Sequence, residues 1–259
     1  MLASLLATAT IFTSAGAPAL QADTTTTRYR VDTRSESVVD ASGVGGGEQR
    51  QSVAMSSFLT VQLADTTGGK SLRVVVDSMT IEPGSPIPPT MADSVRGMVW
   101  TGLLGPDGTI SNLQGAAGGL NEQFTSMLNT FFPRTKGDLS AGTRWVDTVD
   151  VTTNDSASSS QAQTITRWSV AGKEKRDGVE ATRLDAAFDL KMTASGETPQ
   201  GSMDMEGTGA GSGTYFLAPD GKYLGGTTKL DNDMTISLAA APMPIPVTAS
   251  TTTTVSTLP

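Results

Sequence analysis

The sequence predicts a mainly β protein: two related antiparallel halves that form a curved sheet, sandwich or half-barrel, with one amphipathic helix packed on it. Three observations predict this class. Most of the chain alternates apolar and polar residues in segments rich in Thr and Val, separated by Gly, Asp and Asn. A single segment has helical spacing over more than ten residues. A six-residue turn motif occurs twice, each time after a similar series of predicted strands.

Five segments carry the alternating pattern most clearly. Val74 and Val76 belong to a long apolar segment that extends to Ile81 and predicts a well-buried strand. The other strands are predicted within residues 57–65, 163–170, 181–193 and 234–238. Because successive side chains of a strand point to opposite faces, this pattern predicts one buried face for each strand.

The helical segment covers residues 120–132. Asn121 is a candidate N-cap, and Pro133 ends the helix because the residue before proline avoids the α region. The stripe predicts packing against the sheet, and the alternative is that part of it lines a hydrophobic cleft. The stripe consists of Leu120, Phe124, Met127, Leu128, Phe131 and Phe132, and the candidate cleft residues are Phe124, Met127, Leu128 and Phe131.

A second, shorter helix is predicted from Thr90 as N-cap to Gly97. Near the other end of the chain, Pro242, Pro244 and Pro246 alternate, which predicts a sheet edge or a polyproline-like crossing. The tail after them predicts one last strand.

The repeated motif has the form apolar-Leu-x-Pro-Asp-Gly, at residues 103–108 and 216–221. Pro, Asp and Gly suit successive positions of a type I turn followed by a glycine bulge, so each copy predicts a β-hairpin. We therefore predict a single domain over residues 23–259, made of two similar halves at about 28–140 and 141–259. The alternative is that two common hairpin motifs match by chance.

Residues 1–22 combine a short apolar run with small residues, the pattern of a signal peptide. Cleavage after Ala19 fits the small-residue rule better, whereas cleavage after Ala22, which we favour, leaves a polar mature start, and a buried N-terminal helix is the alternative. The run is too short to span a membrane, which needs about 20 apolar residues. The sequence thus predicts an exported protein, periplasmic or extracellular, with no transmembrane segment in the mature chain.

Composition excludes several functions. The net charge of −8 disfavours nucleic acid as a partner. The chain has no Cys and no His, so it cannot use a thiolate nucleophile, a Ser/His triad or the commonest ligands of transition metals. We predict no catalytic residues, no cofactor-binding residues and no metal site.

The remaining candidates for chemistry are weak. Asp231 and Asp233 flank Asn232 but lack the rest of a calcium loop, so a solvated turn is expected. Asp147 and Asp150 lie in one predicted strand, where a period of two puts them on opposite faces. The glycine-rich segments at residues 43–47 and 207–213 do not continue into Gly-Lys-Ser/Thr, and the second predicts a glycine-kinked strand or a loop.

Several of these features occur together in a known group. The sequence resembles a loosely defined group of bacterial exported proteins of unknown activity. The features that carry the resemblance are the exported N-terminus, the 106–108 hairpin, the helix before Pro133, residues 142–145, the strand that ends at residues 170–174 and the 213–216 hairpin arm. Many of its members are lipoproteins, from which this chain departs because it has no Cys. The resemblance implies a β-rich envelope protein and implies no functional residues.

Three functions follow as hypotheses. The first is a non-catalytic exported envelope protein that binds a hydrophobic ligand such as a lipid or acyl chain. The second is a protein–protein interaction or surface structural module. The third is an unrecognised hydrolase. A Met- and Phe-lined cleft would favour the first, and a filled interior with an exposed apolar patch would favour the second.

Overall fold

The structure of the chain is a computed structural model that describes residues 24–88, 90–115, 121–154, 158–176, 178–198, 201–240 and 243–259. Strands account for most of the described residues, and the eleven strands form one antiparallel, curved and unclosed sheet. The mainly β class predicted from the sequence is therefore confirmed, and the curved sheet is the one of the three predicted architectures that the chain adopts.

The strands are long, and most run well past the length of an average strand, about 5–6 residues. Their bounds are β1 Thr24–Asp40, β2 Glu48–Thr66, β3 Gly69–Ile81, β4 Val99–Leu104, β5 Ile110–Gly115, β6 Arg144–Asn154, β7 Ser158–Arg176, β8 Val179–Thr198, β9 Gly201–Leu217, β10 Tyr223–Leu238 and β11 Ile245–Leu258. Across the sheet the order is β5-β4-β3-β2-β1-β11-β10-β9-β8-β7-β6. The two free edges are thus β5 and β6.

The order of elements repeats along the chain. Strands β1 to β5 form one meander and β6 to β10 form a second, and β11 joins them by pairing with β1 on one side and β10 on the other. The fourth and fifth strands of each meander are joined by a Pro-Asp-Gly turn. The division into two related halves at about 28–140 and 141–259 stays a prediction.

Both turns have the predicted geometry. The N–H of Gly108 donates to the carbonyl of Gly105 and the N–H of Gly105 to the carbonyl of Thr109, at 3.0 and 2.8 Å. Gly221 and Ala218 repeat the pattern in the second turn, at 2.9 and 2.8 Å. Each glycine has φ of 82°, a left-handed conformation that other residues adopt only with strain.

Two helices are described. The first, α1, covers Thr90–Ser94 and is followed by Gly97 in the left-handed conformation. The second, α2, covers Asn121–Asn129, and Leu120 lies outside the described residues. The sequence predicts a helix that reaches residue 132, but α2 ends at Asn129. Residues 130–132 form a turn instead, and this turn carries Phe131 and Phe132 into the core.

The proline-rich segment differs from the prediction. Pro246 lies in β11, a central strand, where the sequence predicts an edge or a crossing. The described ladder between β11 and β1 stops at the Val39–Val247 pair, whereas the ladder with β10 continues through Thr235–Pro246. Pro246 is tolerated because it lies past the point where β11 has neighbours on both sides. Pro242 lies outside the described residues.

The segment at residues 133–136 joins the two edges of the sheet. The N–H of Thr135 donates to the carbonyl of Asp107 in the β4–β5 turn, at 2.7 Å. On the other side, Arg134 forms an ion pair with Asp147 of β6 at 3.1 Å, and Lys136 donates to the carbonyl of Val146 at 3.0 Å. We call residues 133–136 the bridging segment.

Candidate functional site

The long strands give the sheet an inner and an outer face with different chemistry. Along β9, half-buried and exposed residues alternate strictly from Gly201 to Ser212. The exposed outer face carries polar and charged residues such as Asp204 and Glu206. The inner face continues the side of the sheet that carries the core residues Tyr215 and Leu217, both 6% exposed.

One end of the inner face is filled. Tyr29 packs edge-on against Phe131, with ring centroids 5.2 Å apart, and its hydroxyl donates to the carbonyl of Tyr223 at 2.8 Å. Trp100 stacks on Phe124 at 5.3 Å, and its indole N–H donates to Thr125. Burial raises the pKa of Tyr29, so this hydroxyl stays protonated and keeps its role as a donor.

This filled end contains the residues that the sequence suggested for a cleft. Phe124, Leu128 and Phe131 are 7%, 0% and 5% exposed, and Met127 is partly buried against them. They are brought together by the core itself, as the packing interpretation of the helical stripe predicts. Their role as cleft residues stays a prediction, since it requires α2 to move away from the sheet.

Beyond the helices the inner face remains apolar but is only half-buried. Within the described chain, α1 and α2 pack chiefly on β3 and β5, near one edge of the sheet. Strands β8, β9 and β10 extend past this region. We use the name open inner face for six half-buried side chains on these three strands, Leu190, Met192, Met205, Leu230, Met234 and Ile236.

β9 is the middle strand of this face, and over much of its length it has only glycines on its inner side. Gly207, Gly209, Gly211 and Gly213 occupy successive inner positions of β9, so the glycine-rich segment is a strand and not a loop. A Cβ added to Gly207 would lie 2.7 Å from Cγ of Met234 and 3.3 Å from Cγ of Met192. The two methionines therefore reach over the glycine from β10 and β8 and form the surface of the open inner face.

Polar groups lie within and beside this apolar region. Oδ1 of Asn232, which is paired with Gly209, is enclosed and has no hydrogen-bond partner among the described residues. The same holds for the indole N–H groups of Trp145 and Trp168. These two rings stack with centroids 5.9 Å apart and an interplanar angle of 10°, and are 9% and 6% exposed.

The acidic candidates do not converge. Asp147 faces inward and binds Arg134, whereas Asp150 is exposed and accepts from Gln163 at 2.8 Å, so the predicted opposite faces are confirmed. Asp231 and Asp233 lie exposed on the outer face of β10. The pKa of Asp231 is lowered by its hydrogen bonds from Ser250 and Lys229. Among the described residues, no three acidic side chains are grouped to hold a metal ion.

Two open grooves lie elsewhere on the surface. One, of about 530 Å³, is on the outer face, between Gln161 and Ser237, with Asp204 and Glu206 along it. The other, of about 550 Å³, runs beside the β4–β5 edge and is lined by Arg96, Met98 and Gln114 among others. Neither is lined by Phe124, Met127, Leu128 or Phe131.

Sequence reasoning missed the open inner face. The available indication was the alternation of residues 201–213, in which Met and Gly occupy every second position. This alternation marks a strand with a smooth apolar face, but low side-chain content also fits a loop. The tryptophan pair had no sequence signal, because Trp145 and Trp168 meet only through the register of β6 on β7.

Comparisons with known proteins give few matches. No family model and no curated protein matches the chain. Two matching solved structures are of OmpT, an outer-membrane protein of Vibrio cholerae. The loop L8 deletion mutant has a TM-score of 0.19 and 8% identity over 90% of this chain and 99% of that one. The in-vitro folded trimer form has the same score and identity over 91% and 99%. Similarity at this level does not assign a function to the chain.

In the described residues, neither helix has the length and apolar character that crossing a membrane requires.

Proposed function

We propose that this protein is a non-catalytic, exported envelope protein that binds an elongated apolar ligand, such as a lipid acyl chain, on its open inner face. One observation carries the proposal. Apart from Asn232 and Thr228, the inner side of β8, β9 and β10 stays apolar and half-buried past the helix-covered core, while the outer side of the same strands is exposed and charged. A strand that only had to be soluble would need no apolar face there.

The chemistry of the face suits an aliphatic chain. None of its six residues is ionisable, and Met192 and Met234 are flexible, polarisable side chains that adapt to ligands of irregular shape. They meet over Gly207, and Leu230 and Asn232 cover Gly211 and Gly209 in the same way, so an acyl chain along β9 would lie on these side chains or displace them. Burial of apolar surface against this face would provide the binding energy, at about 25 cal/mol per Å².

The length of the face also fits. Gly213, Gly211, Gly209 and Gly207 mark successive inner positions of β9, and two residues advance a strand by about 7 Å. The strip of the face from Gly213 to Gly207 is therefore roughly 20 Å long. An acyl chain that fills one leaflet of a bilayer covers about half of a hydrocarbon core of ~30 Å. The strip is long enough for such a chain.

Mass spectrometry tests the proposal directly. Protein purified from an envelope fraction without detergent would be measured under native conditions and again after organic extraction. We expect extra mass in the native spectrum that disappears on extraction and is recovered as acyl-containing material. A native spectrum that contains only the bare chain, both before and after incubation with lipid vesicles, would contradict the proposal.

Export is the part of the proposal that depends on the N-terminus. Residues 1–22 have the pattern of a signal peptide, and the envelope is where lipid acyl chains are in transit between membranes. N-terminal sequencing should find a mature chain that begins at Leu20 or Asp23. A chain retaining Met1 in the cytosol would contradict the location and leave the binding proposal to be tested separately.

A second function is favoured by the β6 edge of the sheet, which pairs with one strand and is contacted by the bridging segment at Val146 and Asp147. Val146 and Val151 of β6 are 53% and 50% exposed, and β6 pairs with β7 alone in the described ladders. An edge strand can pair with a strand of another protein and so extend the sheet. Native mass spectrometry separates this alternative, because it predicts a protein complex without bound lipid.

A further inference from the structure

We infer that Trp145 and Trp168 hold the polar end of the bound ligand, and that this end is an uncharged acyl ester whose carbonyl accepts their indole N–H groups. The inference depends on the proposed function, because it identifies the class of ligand that the open inner face takes. It is carried by two buried donors, each without a hydrogen-bond partner among the described residues.

Two such donors in one place need an explanation. An indole N–H normally has a partner when it is buried, and leaving it unpaired costs free energy comparable to a lost hydrogen bond. Trp100, on the same inner side of the sheet, follows the rule, because its N–H donates to Thr125 at 3.2 Å. Trp145 and Trp168 depart from it together, as one stacked pair.

The register of the sheet connects the pair to the open inner face. Trp145 pairs with Trp168, Trp168 with Ala186 and Ala186 with Gly213, so all four lie in one row across the inner face. Gly213 is also the alternating glycine of β9 that lies in this row. A ligand anchored at the tryptophan row would extend its chain along these glycines toward Met192 and Met234, over or in place of the side chains of Phe188, Leu230 and Asn232.

The charges beside the pair select a neutral group. Asp147 lies two residues after Trp145 on the same face of β6 and is already paired with Arg134 at 3.1 Å. These two side chains are 19% and 25% exposed, so their charges are weakly screened. A free carboxylate would be repelled by Asp147 and would compete with it for Arg134. An ester carbonyl accepts N–H groups without this conflict.

The test compares three ligands of equal chain length on the full mature protein: methyl laurate, dodecane and laurate. Affinity is measured by displacement of a pyrene-labelled acyl methyl ester. We expect methyl laurate to bind roughly 3- to 10-fold more tightly than dodecane, the range that one or two hydrogen bonds provide. We also expect laurate to bind more weakly than the ester.

The variants are Trp145→Phe and Trp168→Phe, which keep an aromatic ring and lose the five-membered ring together with its N–H, so the affinity for dodecane serves as the reference for the lost volume. Each should reduce the ratio of ester affinity to alkane affinity, and the double variant should bring this ratio close to one. In spectra of ¹⁵N-labelled protein, methyl laurate should shift the indole resonances of Trp145 and Trp168. The Trp100 resonance is the internal control, because its N–H already has a partner.

The outcomes distinguish the two proposals. Equal binding of ester and alkane by the wild type, with all three indole resonances unmoved, would overturn this inference and leave the proposed function intact. If both Phe variants keep the ester preference, this inference is also overturned and the proposed function stays intact. The two indole N–H groups would then donate to an internal water. Failure of all three ligands to displace the probe would contradict the proposed function, and this inference with it.

Discussion

Gly108 lies directly against the backbone of Pro133, so close that a Cβ added to the glycine would collide with the Pro133 carbonyl oxygen. This contact places the β4–β5 turn on the bridging segment, whose next residue, Arg134, binds Asp147 of the opposite sheet edge. A turn at one edge and the first strand of the second meander are thus held together through four residues. These contacts join the two edges through the bridging segment, because the described ladders do not pair β5 with β6.

Gly108→Ala tests this relationship, and the second Pro-Asp-Gly turn provides a matched control. Gly221 has the same φ of 82° and nothing within 4 Å of its added Cβ. Gly221→Ala should lower the free energy of unfolding by roughly 1–2 kcal/mol, the cost of a left-handed alanine. Gly108→Ala should cost a further ~1–3 kcal/mol from crowding against Pro133. Equal losses in urea denaturation would mean that the contact does not constrain the fold.

Acid should weaken the same contacts through Asp107. Burial raises the pKa of this carboxyl, but hydrogen bonds from the N–H and hydroxyl of Thr109 and the charge of Arg134 outweigh it and hold the pKa below the ordinary value of 3.8. A carboxyl with a lowered pKa contributes stability above its unfolded pKa and loses it as pH falls through the folded pKa. The contribution is therefore present at neutral pH and is lost below about pH 4.

Asp107→Asn is the corresponding variant. It should be less stable than the wild type at pH 6, and the difference should shrink as pH falls from 4 to 2. Thr109→Val removes the hydroxyl bond of 2.9 Å and should reduce the pH dependence in part. The measurement is the urea midpoint of the wild type and both variants between pH 2 and pH 6. A difference between wild type and Asp107→Asn that is constant with pH would show that the carboxylate charge has no role.

Phe124→Ala tests whether α2 is part of the core or a mobile cover. Phe124 is 7% exposed and stacks on Trp100, so its loss should cost about 3–5 kcal/mol. Ser126→Ala, at an exposed position of the same helix, is the control and should be neutral. Binding of an acyl probe by the folded fraction should be unchanged. If the variant keeps its stability but loses the probe, the helix is a lid and the cleft interpretation of the stripe is correct.

Local sequence patterns predict the turns and strands well. The two turns can be predicted from residue type alone, because Pro presets φ at its position, Asp suits the next one and Gly accepts the left-handed conformation that follows. The strands follow from alternation, as in residues 181–193. The apolar spacing predicts an end of α2 that is too late, because Phe131 and Phe132 continue the apolar pattern after the backbone has left the helix. Apolar spacing indicates which residues are buried, and a turn can bury them as well as a helix can.

The open inner face could not be predicted because it depends on the register of three strands. Met192 and Met234 are 42 residues apart in the chain and meet only because both flank Gly207. The position of Pro246 could not be predicted for the same reason, because β11 accommodates this proline only where β1 has ended beside it. These features arise from pairing between distant segments, which a single sequence does not specify.

Binding of an acyl probe by Met192→Lys, compared with Thr193→Lys, tests the central claim most directly. The two positions are adjacent on β8, but Met192 faces the open inner face and Thr193 the exposed outer face. Both variants should fold, because neither side chain is fully buried. We expect the pyrene-labelled acyl ester to lose at least tenfold in affinity for Met192→Lys, since a lysine charge would be desolvated by the ligand, and to bind Thr193→Lys as it binds the wild type. Equal affinity for both variants would contradict a binding site on the inner face.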